Sequence, residues 1–141
     1  MIDEFWFMNI ESIVFDKIKK KSMPYLRPKY KGINFVSQEL VQKPAKFPCV
    51  EIRELEGVEE GQTLDNTTIP AYRSTFQVNV YAEKPQIAKD VMSEIAIHFK
   101  KDLLFNIVAM PVRAYNGDIH RYSARFRRVI ASNDAIANTG E

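Results

Sequence analysis

At 141 residues, 45% hydrophobic and 27% charged, the chain has the size and composition of one soluble domain with a real core. A net charge of +2 gives no argument for nucleic acid, membrane or acidic substrates, and a single cysteine, Cys49, excludes an internal disulfide framework. No apolar run approaches the roughly 20 residues of a bilayer span, and the opening MIDEFWF carries acids where a signal peptide would carry lysines, so the expectation is a product made in the cytoplasm, with no membrane partner.

Residues 3 to 21 read as a first helix, with Trp6, Ile10, Ile13 and Val14 on one stripe and Lys19, Lys20 and Lys21 closing it. Met8, Phe15 and Ile18 fall off that stripe, so apolar side chains cover more of the helix than a surface helix needs. Either the helix is clamped between the core and the following loop, or these three side chains make a subunit contact. Residues 22–47 carry Pro24, Pro28, Pro44 and Gly32 and read as connection, except for a short strand at 33–36.

A strand is predicted at 48–55, with Val50 and Ile52 facing the core and Cys49, Glu51 and Arg53 facing away. Residues 56–71, EGVEEGQTLDNTTIPA, break the pattern; the acids Glu56, Glu59, Glu60 and Asp65 and two glycines mark the long tip of a hairpin. From Tyr72 to Ala82 the alternation of Phe76, Val78 and Val80 with Thr75, Gln77 and Asn79 is that of a half-buried strand. Pro85 then opens a helix over 86–102, whose stripe is Ala88, Val91, Met92, Ile95 and Phe99. Residues 105–115 and 119–130 form a hairpin around Asn116-Gly117, the strongest short turn signal. On its second strand Tyr122, Ala124 and Phe126 alternate with Arg121, Ser123, Arg125 and Arg127. Residues 131–141 are small and polar and read as a flexible tail.

The fold expectation is therefore α+β. One domain over 1–130 holds a single mixed or antiparallel sheet of four to five strands, flanked by an N-terminal helix and a second helix between strands, with a long hairpin loop. Its core should hold Val50, Ile52, Phe76, Val78, Val80, Val91, Ile95, Phe99, Tyr122 and Phe126. Chemistry is harder to find. His98 and His120 have no second ligand at metal spacing, and all five glycines are isolated, so no phosphate loop is present. The paired carboxylates sit in or beside the loop, and nothing marks a nucleophile with an oriented base. No enzyme, metal or cofactor is expected. The arginine row could contact phosphates, but an RNA-binding sheet would carry aromatics on its open face, and Tyr122 and Phe126 have core parity instead.

Three stretches, FPCVEIRE (47–54) before a polar loop, YRSTFQVNVYAEKPQIAKDVMSEIAIHF (72–99) and DIHRYSARFRRVI (118–130), carry a family resemblance. Together with the element order, they resemble the tail-terminator and tail-to-head joining proteins of long-tailed phages and prophages, most recognisably at Arg121-Tyr122 and Arg125-Phe126. The resemblance covers most of residues 47–130 and consists of packing patterns rather than catalytic signatures. It implies a virion protein without cofactor, a homo-oligomeric ring, usually a hexamer, that caps the tail tube, faces the head connector and lets DNA pass. Another neck or head-closure component is the neighbouring alternative, and a small nucleic-acid-binding protein using the arginine face the more distant one. The expected contact residues are Met8, Phe15 and Ile18 on the first helix, Glu56, Glu59, Glu60 and Asp65 on the loop, and Arg121, Arg125 and Arg127 on the last strand.

Overall fold

A computed structural model describes residues 6–37, 46–60, 70–116, 118–131 and 133–138. Five strands form one open mixed sheet in the order β1-β2-β3-β5-β4. They are β1 (Asn34–Val36), β2 (Cys49–Glu60), β3 (Ala71–Ala82), β4 (Asn106–Asn116) and β5 (Ile119–Ala131). Only β1 and β2 pair in parallel; the other ladders are antiparallel. Two helices, α1 (Ile10–Lys29) and α2 (Pro85–Ile97), share one buried cluster with the Val50, Ile52, Phe76, Val78 and Val80 side of the sheet. The fold is α+β, with helices on one face of the sheet.

The centre of the core is aromatic. Phe99 stacks on Phe126 with centroids 4.4 Å apart, and Phe105 meets Phe99 edge-on at 5.3 Å and Phe76 at 5.7 Å. Such pairs contribute beyond their buried area. Nine of the ten expected core residues are buried, while Tyr122 is only half-buried against the cluster.

The first helix does not stop at Lys21. A 3-10 turn (Trp6–Asn9) leads into α1, which continues past Pro24 and Pro28 to Lys29. Both prolines are exposed, so the carbonyls deprived of a helical partner face the solvent side. Ser22 and Leu26 are fully buried, and their packing holds the last turns. The buried positions Ile10, Val14, Ile18, Ser22 and Leu26 form a single i+4 row. That row drifts around the helix by about 40° per step, because four residues overshoot one turn of 3.6. Ile18 therefore lies on the buried ridge and not on a second, outward face.

The hairpin is longer-armed than its sequence implies. Residues 56–60, expected in the loop, are strand, paired with 71–75 after a register shift between Glu54 and Glu56. The shift inserts one residue and exchanges the faces, so Gly57 and Glu59 take the helix side while Glu56 and Val58 take the outer side. The tip, 61–69, lies outside the described residues, and with it Asp65.

At its far end α2 widens into a π turn (His98–Asp102), shorter as an α-helix than the expected 86–102. The chain leaves it through Leu104 at φ 61°, after which the Phe105 N–H donates to the Phe99 carbonyl at 2.8 Å. This is a left-handed helix stop with the usual apolar contact across it, here Phe99 with Phe105, but with leucine where glycine is favoured. The expected soft tail is partly structured as well: β5 runs to Ala131, and a short helix, α3 (Ala135–Asn138), buries Ile136. Arg128 ties it down through Asp134 and donates to the Leu103 carbonyl at 2.7 Å.

Candidate interaction surface

Strand register places the outward side chains in rungs across β2, β3 and β5. In order they are Cys49–Tyr81–Arg121, Glu51–Asn79–Ser123, Arg53–Gln77–Arg125, Glu56–Thr75–Arg127 and Val58–Arg73–Val129. Five arginines and two glutamates thus share one face, the side away from the helices.

The middle of this face is polar but not open. Glu51, expected to point into solvent, is only 1% exposed, and Asn79 and Thr75 are buried too. The Asn79 amide donates to Glu51 Oε1 at 2.8 Å and the Tyr81 hydroxyl does so at 3.2 Å. Ser123 and Gln77 donate in turn to Asn79 Oδ1, and Arg125 Nε donates to Gln77 Oε1. Arg53 Nε lies 3.4 Å from Glu51 Oε2. These bonds converge on one carboxylate and brace Asn79, Gln77, Ser123, Tyr81 and Arg125 around it. Cys49 is buried at the same end, and burial pushes its thiol up to about 11, so it is unsuited to nucleophilic work.

A second carboxylate sits on the helix side. Glu54 Oε2 accepts from Ser74 at 2.6 Å and from the Tyr72 hydroxyl at 3.1 Å, while Glu11 accepts the Glu54 backbone N–H at 2.7 Å. Burial raises the Glu54 pKa, opposed by those two hydroxyls and reinforced by Glu11. Tyr72 is sandwiched against Phe7 and Trp6, with centroids at 5.5 Å and 6.0 Å, and its ring crosses Gly57. The arrangement welds the hairpin stem to the start of α1.

Of the predicted contact residues, Met8 is 73% exposed and Phe15 is half-buried against Phe35, with centroids at 6.5 Å. Ile18 is fully buried in its own chain and drops out of any exposed contact face. Glu56 and Glu59 are exposed on the hairpin stem; Glu60 ends β2. Arg121 and Arg125 are exposed, and Arg127 is half-buried with Nε on Thr75 Oγ1 at 3.1 Å. His98 is held between Glu94 and Asp102 on its own helix. Among the described residues no three His, Cys, Asp or Glu side chains converge as metal ligands, and no helix is long and apolar enough to cross a membrane.

Two features escaped the sequence reading. Glu51 looked like a solvated strand residue, and only cross-strand register reveals its partners. Leu104, 64% exposed at positive φ, had one available signal: a helix stop without glycine inside the apolar run Leu103-Leu104-Phe105. No protein family's model matches the chain, and no curated protein matches it.

Proposed function

We propose that this chain is a structural assembly protein of a phage or prophage particle, a tail terminator that forms a ring between tail tube and head connector. The observation that supports this best is the division of the sheet. Helices cover one face, while the other carries five arginines around a buried carboxylate that Arg53 touches directly and Arg125 reaches through Gln77 and Asn79, and the hairpin stem carries acids to one edge. A sheet whose outer face is mostly basic and whose edge strand carries exposed acids is suited to repeated contacts between copies. In this reading the hairpin beyond residue 60 touches the adjoining ring, and DNA passes without sequence-specific contact.

Particles assembled without this chain should accumulate as unjoined heads and tails in electron micrographs, and supplying it should restore joining. A variant with residues 61–69 replaced by a tight turn should fold but fail to restore it. Normal joining in the absence of the chain would sink the proposal. The arginine face also fits phosphate contacts; binding to duplex DNA that weakens steeply with salt would favour that second reading.

A further inference from the structure

We infer that neighbouring copies of this chain join head to tail, the β4 edge of one, led by Leu104, seating on the β2 hairpin stem of the next, around Val58. The inference rests on the ring reading and specifies its contact.

Leu104 combines two features that rarely occur together. It holds a left-handed backbone conformation that costs a leucine what it would not cost a glycine, and its side chain is among the most exposed apolar groups of the described residues. Strain retained at an exposed position points to a role outside the subunit's own core. Near it in sequence are exposed Val108 and the exposed residues Lys100, Lys101 and Asp102, the last of which is paired with His98. Lys100 Nζ reaches Asn106 Oδ1 at 3.2 Å, which fixes the lysine at the start of β4.

The opposite edge carries the complement. β1 pairs only with 49–51, so from residue 53 onward β2 has no strand beyond it among the described residues. There Val58 is exposed between Glu56 and Glu59, both exposed as well. Register puts the two places level: Glu56 pairs with Thr75, Thr75 with Arg127, and Arg127 with Asn106. Leu104 lies two residues before that rung and Val58 two residues after it, on opposite edges. Three strand spacings of about 4.8 Å separate the edges, so a chain cannot close the contact on itself. An exposed leucine near Lys100 and Lys101, and an exposed valine flanked along its strand by Glu56 and Glu59 with half-buried Arg73 across from it, lie on opposite edges at one height and match between copies. Such a heterologous contact propagates into a ring or a filament.

The test is disulfide trapping in the full chain carrying Val58→Cys and Leu104→Cys, with each single variant as control and circular dichroism to verify folding. Mild oxidation of the double variant should convert most chains into a ladder of dimers, trimers and larger species, while each single variant stops at dimers. Glu56→Lys with Glu59→Lys should abolish the ladder, and adding Lys100→Glu with Lys101→Glu should restore it. No ladder up to the solubility limit, or only dimers, overturns the contact. Light scattering separates it from the ring itself: a closed ring without a ladder leaves the ring and removes this contact. A ladder that grows into an open filament keeps the contact and removes the ring.

Discussion

Gly57→Ala offers the sharpest test of how the hairpin stem is anchored. Gly57 faces the helix side opposite Ser74, and a methyl group built on it would fall inside the Tyr72 ring and on its hydroxyl. A flexible side chain could swing away at little cost, but Tyr72 is packed on Trp6 and Phe7 and bonded to Glu54. Displacing the ring forfeits a charge-assisted hydrogen bond, about 1.5 kcal/mol at the low end because Glu54 is only half-buried. It also forfeits two aromatic contacts of about 1 kcal/mol each. Against this, alanine in a strand interior gains about 0.5–1 kcal/mol over glycine. The net expectation is a loss of about 2.5 kcal/mol, which at a urea slope near 2 kcal/mol/M lowers the midpoint by about 1.3 M. Trp6, the single tryptophan, reports the transition by fluorescence. In a Tyr72→Ala background the same substitution should cost nothing, since the clash is gone. A loss below about 1 kcal/mol in the native background would refute the packing argument.

Phe126→Ala removes a fully buried ring stacked on Phe99 and should cost about 3–5 kcal/mol in denaturant melts; a loss under 1 kcal/mol would mean the strand faces are reversed. Leu104→Gly should raise thermal stability by about 1 kcal/mol, because glycine adopts φ 61° without the clash of a Cβ, and an unchanged melting temperature would show that the turn is not strained. Glu54→Gln should stabilise the chain near neutral pH. Burial raises the Glu54 pKa above its ordinary 4.5, so the stability tied to its protonated form is complete below pH 4.5 and lost as pH rises through the raised folded value. Glutamine still accepts from Tyr72 and Ser74 without that loss, so the variant's stability should be flatter across the acid range, and an unchanged pH profile would refute the assignment.

Where the hydrophobic period was clean, sequence and structure agree. The alternation from Thr75 to Ala82 and the stripe from Ala88 to Ile95 are local patterns, and both keep their predicted period in the fold. The errors arose where packing overrode local chemistry. The lysines at 19–21 and the prolines beyond them read as the end of the first helix, yet Pro24 and Pro28 face solvent, and the burial of Ser22 and Leu26 holds the turns around them. A straight stripe leaves Ile18 off the buried face, whereas the buried ridge follows the i+4 row that includes it. Residues 56–60 looked like loop because their composition is acidic and glycine-containing. Their strand pairing comes from β3, whose own pattern continues to Ala71, and the glycine fits because Tyr72 lies across it.

The interaction surface was legible only as a list of charges, and the reason lies in register. Parity alone assigns Glu51, Arg53, Arg121, Arg125 and Arg127 to one face, but says nothing of which residues stand opposite one another. Once β2, β3 and β5 are aligned, Glu51, Asn79 and Ser123 form one rung, and a face expected to be solvated acquires a buried carboxyl group with converging donors. A buried carboxylate costs desolvation that exposed pairing would avoid, so its retention needs the donors around it. The consequence is a division of labour among the arginines. Arg53 lies against the carboxylate and Arg125 reaches it through Gln77 and Asn79, while Arg127 is bonded to Thr75. An arginine face braced in this way is pre-organised, and a partner that meets it orders fewer side chains on binding. For the proposed contact, the acids available are those on the stem, Glu56 and Glu59. They are exposed and fixed by the strand ladder, whereas Glu51 and Glu54, identical in sequence type, are committed to holding the sheet together.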